Sequence, residues 1–534
     1  MNRDDADVLI LGGGLAGLCL ALQLKQDDPD IAITVLERRS HPVAEAAFKV
    51  GESTVEIAAH YFSNVLGLRE HLDQEQIRKF GFRFFFSEGR SRLDESTELG
   101  VSRMLPTPSW QIDRGRFENF LGERARALGI DFRDGHVIRS IELGEDEGAH
   151  AVEVEHEGRR GRLQARWLVD ASGRAGLLKR KLGLSAPNAH DVNAVWWRVD
   201  GFVDPDDAGS DPHWLQRCDP PDRWRSTNHL CGAGYWVWMI PLGSEAHSIG
   251  IVADEAMHPL DTLKSHDKAM AWLQRHQPAL AALLQRPRHT VKDFLFLRRF
   301  SYDCKQVFSS RRWALTGEAG LFLDPFYSPG SDFIAISNSY IAELIGRDRR
   351  GEPFGPYASL YQQLYDSFYA NTMGLYLGQY ALFGDEQVLP LKVIWDYTYY
   401  WGLLAPLVIS GRHVDTGMLG RLRPAMAEAA ALNAGMQPLL RDWGDRNAAA
   451  GPPPLSAPRP MLDQYNIDWF HAMNKALHER LDDDAFAARI DDNLRRMRGL
   501  AGEITRRARA AHGDWDLPPA EHDDALPAPL PAQW

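Results

Sequence analysis

The stretch that most limits what this chain can fold into is DVLILGGGLAGLCLALQL, Asp7 to Leu24. An apolar strand runs into a glycine turn, and the turn into a helix with small residues inside. Gly12, Gly14 and Gly17 fit GxGxxG. In that spacing the first glycine makes the tight turn. The second lets a pyrophosphate approach the backbone, and the third lets helix and strand pack closely. Leu15 and Ala16 start the helix, whose free N–H groups and positive dipole end favour phosphate. A second strand, IAITVLER, ends at Glu37 and Arg38, with Glu37 twenty residues past Gly17. A carboxylate there accepts hydrogen bonds from ribose hydroxyls. The unit predicts a dinucleotide site and leaves FAD and NAD(P) both open.

Two later stretches favour FAD. ARWLVDASGRAGLLKRKLG reads as a strand ending at Asp170 before a small-residue turn. RRWALTGEAGLFLDPFYSPGSDFIAISNSYIAELI reads as a strand, then Gly317-Glu318-Ala319, a loop and a helix. Each strand delivers small and acidic residues toward a ligand at its carboxyl end. Their order resembles the glutathione-reductase-type FAD fold used by flavin monooxygenases, with Glu318 where that family usually has Asp. A second strand, GxGxxG and helix unit for NAD(P)H is not found. Reduction is therefore expected to come from a separate flavin reductase.

The expected fold class is α/β, α+β overall. A glutathione-reductase-type Rossmann domain is joined by an antiparallel substrate-side sheet and a helical C-terminal region. Residues 1–190 read as the FAD-binding region and 191–300 as the antiparallel sheet. Residues 301–350 return to the FAD-binding region, and 351–534 are mostly helical with a loosely ordered tail. GPPPLSAPRP reads as a proline-rich break. The formal charge of −13 over 534 residues argues against nucleic acid. Four scattered cysteines without a CxxC pair suggest neither a disulfide framework nor a metal site, and the reduced cytoplasm is the expected setting. Neither a signal peptide nor a membrane span is read, because the longest apolar run is short and Pro406 interrupts it.

YWVWMIPLG, Tyr235 to Gly243, places Trp236 and Trp238 on one face of a strand. WVWMIP, with Trp236, Trp238, Ile240 and Pro241, matches the WxWxIP motif of flavin-dependent halogenases. FKVGESTVEIAAHYFSNVLGL resembles that family's GE[AS]T segment. QIRKFGFRFFF puts Lys79 about where the family has its catalytic lysine. The chain from Gly12 to about Ile345 thus resembles a flavin-dependent halogenase, nearer the phenol, pyrrole or carrier-bound-substrate branch.

The resemblance implies that FADH2, O2 and halide make hypohalous acid at the flavin, and that Lys79 passes the halogen to an electron-rich aromatic. The tryptophans would partition flavin from substrate. Glu52, Ser53 and Arg114 join the glycine loop, Glu37, Arg38, Asp170, Gly317 and Glu318 as implied flavin contacts. Ser328, Pro329, Gly330 and Ser331 form the implied halide loop. Burial among Phe80, Phe82, Phe84 and Phe86 is expected to lower the Lys79 pKa. The competing reading of Lys79 is a solvated residue before a strand. Lys49 is expected to have a structural or flavin-contact role.

In DPFYSPGSDF, Tyr327 stands where tryptophan halogenases have a glutamate. A phenol, a pyrrole or a carrier-bound aromatic is expected rather than free tryptophan. Pro329 has no N–H for a halide, which favours bromide over chloride. The alternative is a flavin-dependent aromatic hydroxylase that does not halogenate. A non-catalytic flavin-binding protein is a third possibility, since fold alone does not fix function.

Overall fold

The computed structural model describes residues 5–46, 48–145, 148–451, 460–513, 515, 517 and 524–531. Most of the proline-rich run and half of the C-terminal tail lie outside them. The chain divides into two compact units. The first holds residues 1–76, 112–189 and 301–370, and the second 77–111, 190–300 and 371–534. These boundaries differ from the sequence reading. Residues 77–111 belong with the second unit because their strand Phe82–Phe85 pairs in parallel with Thr227–Gly232. Its sequence neighbours say nothing about that distant partner.

In the first unit, strands Asp5–Leu11, Ile33–Leu36 and Asp131–Arg133 lie parallel. The long strand Arg159–Asp170 joins Asp5–Leu11 on its other side, also in parallel, and carries Trp313–Leu315 beyond it. Its first half turns back on His150–His156 and Val137–Glu142 as an antiparallel extension. Helix Leu15–Asp27 is apolar almost all round, as a helix packed on several sides must be. The parallel core aims Leu11, Leu36 and Asp170 at one end, where ligands of open α/β sheets bind.

In the second unit an eight-stranded sheet is mostly antiparallel, with two parallel pairings, one to Phe82–Phe85 and one to Met461–Asp463. The sheet thus draws strands from outside residues 191–300. Strand Tyr235–Pro241 sits between Thr227–Gly232 and Ala246–Asp254. Its Tyr235, Val237 and Met239 enter a core with Ile249, Ile251, Trp272 and Leu280. Period-two alternation then sends Trp236 and Trp238 to the opposite face. Helices Gly355–Gly374, Val388–Tyr399, Thr416–Ala450 and Asp483–Ala511 account for much of the later chain, the first of them lying mostly in the first unit. No helix among the described residues is long and apolar enough to cross a membrane.

Candidate functional site

The glycine loop of the first unit has the geometry its sequence requires. Gly12 adopts φ +122°, and a Cβ there would come 2.3 Å from the Ala171 carbonyl oxygen. A Cβ on Gly17 would meet the Gly12 carbonyl oxygen at 2.1 Å. A Cβ on Gly14 would touch nothing within 4 Å, so the backbone there faces open space. The helix behind it has no side-chain cap at its start, leaving its first N–H groups for a ligand. Leu15 and Ala16 are buried. The Glu37 carboxylate accepts from the N–H groups of Gly13, 2.9 Å, and Arg39, 2.8 Å. Each of its oxygens keeps a second lone pair for a ribose hydroxyl. Arg38 is exposed. Gly317, at φ +60°, faces the same helix, because a Cβ on it would reach the Ala16 Cβ at 2.9 Å. This cradle of open backbone, uncapped helix and carboxylate fits a dinucleotide. Gly17→Ala is expected to lower retained flavin severalfold, read from the absorbance of the purified protein. Unchanged flavin content would contradict that fit.

The other expected contacts have partners or burial within the protein. Asp170 is fully buried, and its carboxylate accepts from Ser172, 2.9 Å, and Leu178, 2.7 Å. Burial pushes its pKa up. It holds the turn after its strand. Glu318 lies 3.4 Å from Arg174. Glu52 and Ser53 are buried, and the Glu52 carbonyl accepts from Ile112 at 2.7 Å. Arg114 donates to the Val50 carbonyl at 2.6 Å and to Glu118 at 2.7 Å. Lys49 also pairs with Glu118. Burial first, then Arg114 and Arg39, draw the Lys49 ammonium down to about 7, while the Glu37 carboxylate works the other way. This knot ties residues 49–51 to helix Arg114–Ala127.

In the halide loop, Ser328 adopts φ +55° and its N–H donates to the Pro325 carbonyl at 2.9 Å. It is therefore spent, against the sequence expectation that it could donate to a halide. Pro329 precedes helix Gly330–Arg349. Gly330 and Ser331 are its first two residues, whose N–H groups have no intrahelical acceptor. Asp332 in the same turn accepts from the Ala58 N–H at 2.8 Å.

The lysine lies in the second unit. Lys79 is only 3% exposed, so the solvated alternative does not hold. Its Nζ stands 3.5 Å from the centroid of Phe82, a cation–π contact. Its own N–H donates to the Ser109 carbonyl at 2.9 Å, fixing the chain just before the aromatic strand. Phe82 meets His229 edge-on at 5.3 Å, and His229 stacks on Phe84 at 4.6 Å. His229 in turn lies 5.2 Å from Trp236, and Trp236 lies 5.7 Å from Trp238. The indoles are pinned by their N–H groups, Trp236 to the Tyr380 hydroxyl at 3.0 Å and Trp238 to Ser248 Oγ at 3.1 Å. Gly250 opposite Trp238 makes room for the ring, since a Cβ there would come 2.1 Å from it. Ile240 and Pro241 continue the strand, both buried. Tyr397 reaches Phe82 from the helices at 6.0 Å. One face thus carries a buried lysine amino group on an aromatic shelf.

His229, Tyr380 and Tyr397 were missed by the sequence reading. His229 donates from Nδ1 to the Arg83 carbonyl at 3.3 Å, because a carbonyl can only accept. No local spacing marks these residues. They meet Lys79's shelf only through pairing across long stretches of chain.

The sequence model described as "FAD binding domain" matches residues 5–302. The flavin-dependent halogenase chlA of Dictyostelium discoideum is 26% identical over 448 residues, 76% of this chain and 71% of its own. The 1H-pyrrole-2-carbonyl-[peptidyl-carrier protein] brominase of Pseudoalteromonas luteoviolacea is 26% identical over 345 residues, 64% of this chain and 77% of its own. The solved halogenase PltM, in complex with phloroglucinol and FAD, superposes with a TM-score of 0.65 at 18% identity, covering 91% of this chain and 99% of that one. This last likeness speaks to the fold. The relatives bear out the resemblance to flavin-dependent halogenases. With FAD as its cofactor, the chain is an FAD-dependent enzyme and belongs to the FAD binding domain family.

Proposed function

We propose that the chain halogenates an electron-rich aromatic, a phenol or a pyrrole, with hypohalous acid delivered through Lys79. The observation that carries this reading is the buried Lys79 ammonium on Phe82, in the aromatic shell that includes both WxWxIP tryptophans. Bound and reduced, FAD supplies the O2 activation that turns halide into hypohalous acid. The glycine loop and the first helix hold its pyrophosphate, and Glu37 its ribose. A separate reductase supplies the electrons.

The chain's own residues do the rest. Lys79 donates a hydrogen bond to the oxygen of hypohalous acid, which makes the halogen the electrophilic end. A ring carbon of the substrate bonds the halogen, the halogen–oxygen bond breaks, and the oxygen leaves as water with its own proton and the proton lost by the ring. The apolar shell keeps bulk water from consuming the acid first. The relatives named above support the substrate class: one is named for a carrier-bound pyrrole, and another was solved with a phenol.

At the halide loop, Pro329 lacks an N–H and that of Ser328 is spent, leaving Gly330 and Ser331. Chloride is more strongly hydrated and needs more donors than bromide. A single charge-assisted hydrogen bond is worth about 1.5–3 kcal/mol. Brominated product is therefore expected to exceed chlorinated product about tenfold at equal halide.

The test combines purified protein, a flavin reductase, NADH, both halides and a panel of phenols and pyrroles, read by mass spectrometry. A product gaining oxygen and no halogen would reassign the chain to aromatic hydroxylation. Equal chlorination and bromination would overturn the halide argument alone.

A further inference from the structure

The helices of the second unit enclose a cavity of about 260 Å³. Its lining is apolar at Trp401, Pro406, Met473 and Phe486 and cationic at Arg489 and Arg496. Two carboxylates also line it, and each already has a guanidinium. Glu479 pairs with Arg489 at 2.7 Å, and Asp492 pairs with Arg495. Arg496 is left over. Among the described residues its side chain bonds only a neutral acceptor, Oδ1 of Asn493, at 2.6 Å. A guanidinium has five N–H donors, so most of its capacity is unspent. Burial first, then Arg489 and Arg495, press its pKa below the usual range, as expected of a cation short of counter-charge.

The wall that carries Arg496 is rigidly built. Pro406 cannot donate to the Gly402 carbonyl four residues back. Asn493 Nδ2 takes over that carbonyl at 3.0 Å, and its Oδ1 orients Arg496. The helical run loosens here into a π turn, Tyr400–Leu404, a distortion frequent at functional sites. Trp401 lies in that turn. Its ring is 4.7 Å from Phe470 and 4.7 Å from Tyr397, which reaches Phe82 beneath Lys79. The cavity is thus two aromatic contacts from the shelf of the lysine.

The geometry points to this cavity as a binding site for an aryl or arylalkyl carboxylate. Arg496 takes the carboxylate bidentately, and Trp401, Met473 and Phe486 cover the apolar body. The volume falls just under the ~300–1,000 Å³ of drug-sized sites, which suits one ring. Trp401 and Tyr397 stand between this site and Phe82, so the acid is a ligand of the helical region, separate from the ring that meets Lys79.

Calorimetry on the full-length protein, without turnover, tests the site first. 4-Hydroxyphenylacetate is expected to bind roughly ten- to a hundredfold tighter than its methyl ester, as one charge-assisted pair implies. Arg496→Gln should abolish that preference, and Arg496→Lys should keep part of it. Equal binding of acid and ester, an unchanged preference in Arg496→Gln, or no binding of either would overturn the proposal. Phenyl phosphate binding tighter than the acid would overturn the carboxylate assignment. Because binding is read without turnover, the outcome bears on this site alone and leaves the reading of Lys79 to its own test.

Discussion

Lys79→Met is expected to cut aromatic halogenation by roughly a thousandfold, within the 10²–10⁴ range of a positioned proton donor. FAD content should not change. Methionine keeps the unbranched stem that lies against Phe82 and removes the ammonium 3.5 Å above that ring. Because the flavin-binding loop belongs to the other unit, flavin absorbance and oxidation of a halogen trap should survive the substitution. Lys79→Arg separates two roles. Arginine still donates hydrogen bonds and stays protonated, so partial activity there would favour polarisation of hypohalous acid over halogen carried on a neutral amine. Normal halogenation by Lys79→Met would remove the lysine from the chemistry.

The second large effect is on stability. Glu98→Gln is expected to destabilise the protein by about 3–5 kcal/mol, the cost of leaving buried charge uncompensated. Glu98, Arg83 and Arg223 are all fully buried. Glu98 pairs with Arg83 and takes Arg223 at 2.8 Å, and Arg223 reaches on to Asp206 at 2.9 Å. Burial pushes the Glu98 carboxyl up, and the two guanidiniums outweigh it and hold it below its ordinary range. Glutamine keeps the shape and leaves two cations facing one another. The thermal midpoint should fall by roughly 3–5 °C. Arg83 lies between Phe82 and Phe84, so the same change should lower kcat by loosening the shelf under Lys79. An unchanged midpoint would mean that water or a rearranged partner replaces the carboxylate.

The motif-bearing segments were legible because their chemistry is local. GxGxxG needs glycine where a Cβ would strike a carbonyl, and Gly12 and Gly17 show that clash. WxWxIP needs only strand alternation to put both indoles on one face. Asp170 was legible as a strand end, and the turn it holds was not. Its two acceptors close on N–H groups of a turn that only the folded chain brings round. The proline of the halide loop was visible, but the loss of the Ser328 N–H to Pro325 was not, since it follows from a positive φ at a residue other than glycine.

The sequence by itself determined the dinucleotide-binding loop and the shared face of the two tryptophans, because each depends on residues a few places apart, while the order of distant segments favoured FAD and a family resemblance singled out Lys79. Tertiary structure alone decided what surrounds the lysine. Its shelf takes Phe82 from one strand, His229 from a parallel partner and Tyr397 from a helix. It also set the limits of the two units, and it left Arg496 without a counter-charge beside Trp401. Such contacts depend on register and helix packing across hundreds of residues. Local periodicity says which face is apolar, and the folded chain selects which faces meet.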